Sequence, residues 1–143
     1  MGAFDLGRWG ERWAGLYLRS RGYRILHTSW RAGRLGEIDL IVRRGDVLAF
    51  VEVKTRRGRS HGPPEEAVGP AKQRRLVRLA EACLAALPDG SPESALRPRL
   101  DVIALERSGR VGWRLRHYRG AFEPVVRRAK GPGRRGGKRS PSP

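Results

Sequence analysis

The chemistry-bearing residues of this 143-residue chain gather in two short stretches, Gly36-Glu37-Ile38-Asp39-Leu40 and Val51-Glu52-Val53-Lys54-Thr55. Carboxylates supply the hard oxygen ligands that suit Mg²⁺ or Mn²⁺. Such an ion beside a phosphate polarises it and lowers the pKa of bound water. A nearby lysine can orient that water or offset the charge that builds on the phosphate. Asp39, Glu52 and Lys54 supply that set with the spacing D-x₁₂-E-x-K. The spacing alone is weak support, because an exposed sheet face with Glu52 paired to Lys54 or an arginine shows the same letters. The flanks argue against that surface ladder. Ile38, Leu40, Ile41, Phe50, Val51 and Val53 make the two strands look buried on both sides, and a charge in a buried strand needs a partner or a metal.

The strands must then aim these side chains. Residues two apart on a strand share a face. Glu37, Asp39 and Ile41 fall on one face of the first strand, and Ile38, Leu40 and Val42 on the other. In the second, Leu48, Phe50, Glu52 and Lys54 oppose Val47, Ala49, Val51 and Val53. Arg43-Arg44-Gly45-Asp46 reads as the turn, since Gly45 can take positive φ. A two-residue loop of Arg44 and Gly45 pairs Arg43 with Asp46 and sets Glu37 opposite Glu52, with Asp39 one step away on the same face. A four-residue loop pairing Val42 with Val47 gives the same register. A three-residue loop slips the register by one and splits the carboxylates between faces. The site therefore requires an even-length turn.

The remaining elements follow from periodicity. Asp5 to Arg21 reads as a helix with an apolar stripe of Leu6, Trp9, Trp13, Leu16 and Tyr17. Trp9 and Trp13 read as core side chains. Glu11 lies at the edge of the buried face, beside Ala14 and Leu18. Tyr23 to Trp30 reads as a strand. Arg56 to Pro64 is a loop that holds His61, and Glu65 to Val68 reads as a single helical turn. Pro70 suits the first turn of a helix over Ala71 to Leu87. Pro88 to Pro98 is a linker, Arg99 to Glu106 a buried strand, and Val111 to Tyr118 an alternating strand. Asp101, inside the buried strand, reads as a structural hydrogen-bond acceptor. The order α-β-β-β-α-β-β predicts one α/β domain with a mixed sheet flanked by helices.

Composition narrows the partners. The formal net charge is +17, and 27 of the 31 basic residues are arginine. A GC-rich genome raises arginine usage, but codon bias does not explain why acids fail to balance it, and a polyanionic partner does. Seven of the positive charges lie in the glycine-, proline- and serine-rich stretch Arg127 to Pro143. That stretch is expected to be a disordered basic tail (127–143) behind a domain spanning 1–126. About +10 stays on the body. Cys83 is the single cysteine, so no disulfide can form within the chain, which fits a reducing cytoplasm. The first residues carry Asp5 and Arg8 and no apolar core of a signal peptide. No apolar run approaches the ~18 residues of a membrane span. His27, His61 and His117 are isolated, which excludes a zinc spacing. A homodimer is compatible with the sequence and is not derivable from it.

Taken together, several stretches resemble the YraN family of bacterial uncharacterised proteins, in the restriction-endonuclease-like group with the PD-(D/E)xK site. They are Gly7-Arg8-Trp9-Gly10-Glu11, Gly22-Tyr23-Arg24-Ile25-Leu26, Gly36-Glu37-Ile38-Asp39-Leu40-Ile41, Phe50-Val51-Glu52-Val53-Lys54-Thr55-Arg56, Lys72 with its helix, and Arg99-Leu100-Asp101-Val102-Ile103-Ala104. The resemblance covers about Gly7 to Phe122. It implies a restriction-endonuclease-like fold, Asp39 and Glu52 as metal ligands, Lys54 as the catalytic lysine, and Glu11 as the helix-borne acid of the resolvase-like branch. The first acid follows Glu37-Ile38 instead of the proline in the superfamily's name. The reaction implied is Mg²⁺- or Mn²⁺-dependent hydrolysis of a nucleic-acid phosphodiester, with DNA the expected substrate. Lys72, Gln73 and Arg75 at a helix start could hold a phosphate, although a solvated helix face is the commoner meaning of such a run. The competing reading is a nucleic-acid-binding module whose acids are structural or vestigial.

Overall fold

The computed structural model describes residues 5–57 and 68–122. His61, the expected helical turn at 65–68 apart from Val68, and the basic tail at 127–143 lie outside the described residues. Helix α1 spans Leu6–Ser20, with the Asp5 carboxylate capping its start by accepting from Arg8 N–H at 3.2 Å. Strands β1 (Arg24–Arg31), β2 (Glu37–Arg44) and β3 (Val47–Arg56) follow, then α2 (Pro70–Ala86), β4 (Arg97–Ser108) and β5 (Gly112–Tyr118). The linker between α2 and β4 contains a 3₁₀ turn at Pro92–Ala95.

The five strands form one mixed open sheet in the order β1-β2-β3-β4-β5. β3 and β4 are parallel, as α2 crosses between them; the other neighbours are antiparallel. The two helices cover opposite faces. Val68, Leu76, Leu79, Ala80 and Cys83 pack on Ile41, Leu48, Phe50, Leu100 and Val102. Ala14 and Leu18 pack on Leu40, Val42, Ala49, Val51 and Ile103. Burial on both faces accounts for the nearly continuous apolar runs Val47–Val51 and Val102–Leu105. This is the mixed sheet flanked by helices that the resemblance implies.

The stripe expected to bury α1 is not the one that does. The buried face is Gly10, Ala14, Gly15 and Leu18, whereas Trp13 is 51% and Leu16 55% exposed. Small residues let the helix backbone lie close on the sheet. A Cβ on Gly10 would sit 1.8 Å from Thr55 Oγ1. The larger apolar residues are thereby turned outward, which corrects the reading of Trp13 as core. Among the described residues, no helix is long and apolar enough to cross a membrane.

Candidate metal and nucleic-acid site

The hairpin turn has two residues, as required, but they are Gly45 and Asp46. Gly45 has φ of +57°, the positive value that two-residue hairpin loops demand. Arg44 therefore pairs with Val47 and Leu40 with Val51. The register is shifted by two from the expected one. Parity is kept, and Asp39, not Glu37, stands across from Glu52.

At that point the sheet opens. Leu40–Val51 is the last β2–β3 pair, while β3 runs on to Arg56 beside β4 alone. The Val53 N–H, which would have continued the ladder, donates to Asp39 Oδ2 at 2.8 Å. Strict alternation also breaks here: Ile38 packs with Ile41 on the α2 side, whereas Leu40 and Val42 pack beneath α1. On β1, Ser29 stands across from Asp39 between the pairs Trp30–Ile38 and Thr28–Leu40, and takes φ of 51°. A non-glycine residue in that region marks local strain. The irregularity turns Asp39 toward acids on more than one element.

One carboxylate oxygen from each of Glu11, Glu37 and Asp39 lies within 4.8 Å of the other two. Glu11 comes from α1, and Glu37 and Asp39 from β2. Glu52, from β3, is buried at 5% exposure and lies close enough to Asp39 for its charge to act on that carboxyl. Burial, then the charge of Glu52, pushes Asp39 up to about 8, against the lowering effect of the Val53 N–H. Glu11 is also raised, first by burial and then by the charges of Glu37, Asp5 and Glu52, with Arg8 acting in the opposite sense. Arg31 Nε reaches Glu37 Oε2 at 3.0 Å; Asp39 has no ion pair with a described residue, and an all-oxygen donor set from three elements fits a hard divalent cation.

The lysines divide. Lys72, in the first turn of α2, sits 2.5 Å from Glu52 Oε1. Lys54 is half-buried two residues beyond Glu52 on β3 and forms no ion pair with a described residue. Gln73 Nε2 donates to Val68 O at 2.8 Å, holding the approach to α2, and Arg75 is exposed. The structure thus brings Glu11, Asp39 and Glu52 together. It adds Glu37 as a full member of the cluster and Lys72 as the partner of Glu52. Glu37 could be found from its two-residue spacing to Asp39. Nothing local marks Lys72, because α2 reaches Glu52 only through the crossover.

Asp101 lies outside this cluster, on the α1 side of β4. It is 1% exposed and accepts two bonds from Arg99 at 2.8 Å, one from His117 Nε2–H at 2.8 Å and one from Gly120 N–H at 3.1 Å. Burial alone would raise its carboxyl; the bonds from His117, Arg99 and Gly120 outweigh burial and hold it below the ordinary value. Arg99 also donates to Tyr23 Oη at 2.7 Å, and the Tyr17 hydroxyl meets His117 Nδ1 at 3.2 Å. The network ties α1 to β4 and β5, the structural role expected of Asp101.

Fold and site define an α/β protein whose sheet parts around a carboxylate cluster. A family model for the Uncharacterised protein family UPF0102 matches residues 10–105. A UPF0102 protein of Syntrophotalea carbinolica is 48% identical over 119 residues, covering 83% of this chain and 92% of the relative. One of Symbiobacterium thermophilum is 50% identical over 112 residues, covering 77% and 91%. One of Streptomyces coelicolor is 41% identical over 126 residues, covering 88% and 86%. The chain belongs to the UPF0102, or YraN-like, family.

Proposed function

We propose that this chain is a Mg²⁺- or Mn²⁺-dependent endonuclease that hydrolyses phosphodiester bonds in DNA, with branched or repair intermediates as candidate substrates, in the cytoplasm. The observation that carries the reading is the meeting of Glu11, Asp39 and Glu52 where β2 and β3 part, in a chain of net charge +17. Asp39 and Glu52 would hold the ion, which when bound would supply charge for the phosphate and a more acidic water. Glu11 supports the ion or its water. Lys54, which forms no ion pair with a described residue, would orient the attacking water or face the phosphate. Glu52 is already paired to Lys72. That lysine must yield Glu52 as the site loads, and it then becomes a cation available to a phosphate oxygen.

The ion pair of Glu52 with Lys72 is also the one observation that favours the second reading, a nucleic-acid-binding module with a structural acidic cluster. A nicking and branched-DNA cleavage assay with Mg²⁺ and Mn²⁺ separates the two. Glu52→Ala is expected to abolish cleavage while DNA affinity stays equal or rises, because removing the carboxylate removes repulsion of phosphate. Lys54→Ala is expected to lose cleavage with metal binding retained. Wild-type protein that cuts no form of DNA, or residual cutting that survives in Glu52→Ala, replaces the nuclease with the binding module.

A further inference from the structure

The outward flank of α1 carries an apolar groove of about 480 Å³, lined by Trp9, Trp13, Leu16, Tyr17, Trp113 and Leu115 among others. Trp13 meets Trp9 edge-on at 6.2 Å, and Trp9 lies 4.7 Å from Trp113 on β5. Trp13 and Leu16 are more than half exposed. A large aromatic side chain such as Trp13, held exposed beside an apolar groove, is a candidate contact surface.

Its position relative to the carboxylates follows from helix geometry. Successive residues turn by about 100°. Glu11, Arg12 and Trp13 therefore face three directions in order: the acidic cluster, open solvent and the groove. Arg12 and Arg19 are both exposed. Seven residues is nearly two turns, so the two guanidinium groups form one ridge along the outer face of α1. The ridge runs between the acidic cluster on one flank and the aromatic groove on the other, a helix width of about 10–12 Å.

We propose that the groove takes an unstacked nucleobase, and that a single strand of nucleic acid crosses the outer face of α1. Its phosphates lie on the Arg12–Arg19 ridge. A base stacks on Trp13 in the groove, and the backbone continues to Glu11 and Asp39. The alternation of cation and aromatic is the arrangement that single-strand binding uses: a basic track for phosphates beside aromatic faces for bases. Arginine on the ridge matches the anionic backbone, whereas an apolar protein segment would leave it without a counterpart. Paired bases in a duplex offer no free face for stacking. The favoured substrate is therefore DNA with a single-stranded or flap segment. This deepens the nuclease reading, and the base-binding step stands apart from the chemistry.

The test is fluorescence anisotropy of the full chain, in chelator so that nothing is cut, with labelled oligothymidylate and with a blunt duplex. Trp13 is half exposed, so Trp13→Ala should fold; a thermal melt checks this. The expected result is a loss of roughly 5- to 100-fold in single-strand affinity, recovered in Trp13→Tyr, with duplex affinity changed less than about twofold. Tryptophan fluorescence of the wild type should fall on adding the single strand. Unchanged single-strand binding in Trp13→Ala, or equal losses for both DNAs, overturns the proposal. So does a wild-type dimer that Trp13→Ala converts to monomer at unchanged single-strand affinity, which would give the groove to a second copy of the chain. Glu52→Ala, run beside it, should bind the oligothymidylate at least as well as wild type. Absent cleavage with an intact Trp13 effect refutes the nuclease and not the groove.

Discussion

Replacing Asp39 by Asn should stabilise the metal-free protein at pH 8. The Asp39 carboxyl is raised from 3.8 to about 8 by burial and by the charge of Glu52. Between those values the folded state holds a proton that the unfolded chain has released. Stability therefore falls as pH rises from about 4 to about 8, and levels off above. Four units at about 1.4 kcal/mol each set an upper bound of roughly 5–6 kcal/mol. The proton belongs to the Asp39–Glu52 pair and the side chains can relax, so an effect of about 2 kcal/mol is expected. Asn keeps a carbonyl oxygen for the Val53 N–H and removes the charge. Thermal or urea unfolding in chelator should show Asp39→Asn more stable than wild type by about 2 kcal/mol at pH 8, on the order of 5–10 °C in Tm, with the gap closing toward pH 4. Taking the difference between the two proteins cancels the titration of other groups, Asp101 among them. Mg²⁺ or Mn²⁺ at pH 8 should raise the Tm of wild type and leave the variant unmoved. A variant less stable than wild type at pH 8, or a gap that ignores pH, would refute the electrostatic account of the cluster.

Asp101→Ala leaves the half-buried Arg99 guanidinium and the buried His117 ring without their carboxylate and should destabilise the fold by about 2–4 kcal/mol by denaturant unfolding; an effect below about 1 kcal/mol would mean that Arg99 and His117 find other partners. Gly10→Ala places a methyl group in the space of Thr55 Oγ1. It should destabilise by about 1–3 kcal/mol and, by lifting α1, weaken Mn²⁺ binding measured calorimetrically.

The parity of the hairpin was legible because strand period and an even turn together leave few arrangements. The exact register was not: Gly45 suits the first loop position as well as the second, and local sequence does not choose between them. Asp39 and Glu52 converged as expected, yet through a shift of two and a break in alternation at Asp39. Glu37 joined the cluster through the two-residue period that sets it on the face of Asp39. The α1 stripe misled for a different reason. Hydrophobicity favours burying tryptophan, but close approach of helix and sheet favours glycine and alanine, and at Gly10 the second requirement prevails. Lys72 was read as a possible phosphate contact in a basic run; its pairing with Glu52 depends on tertiary placement that spacing cannot carry.

The seating of α1 on glycine and alanine separates two kinds of inheritance. Glu11 is held on the inner side of the helix, where Gly10, Ala14 and Gly15 allow close approach to the sheet and Leu18 is buried against it. The outer side, with Arg12, Trp13, Leu16 and Arg19, bears no load in that contact. Substitutions there can accumulate without displacing the acid. A lineage can therefore change what it grips while the chemistry stays in place, and comparison among relatives should find variation in the outer residues uncoupled from Glu11, Asp39 and Glu52.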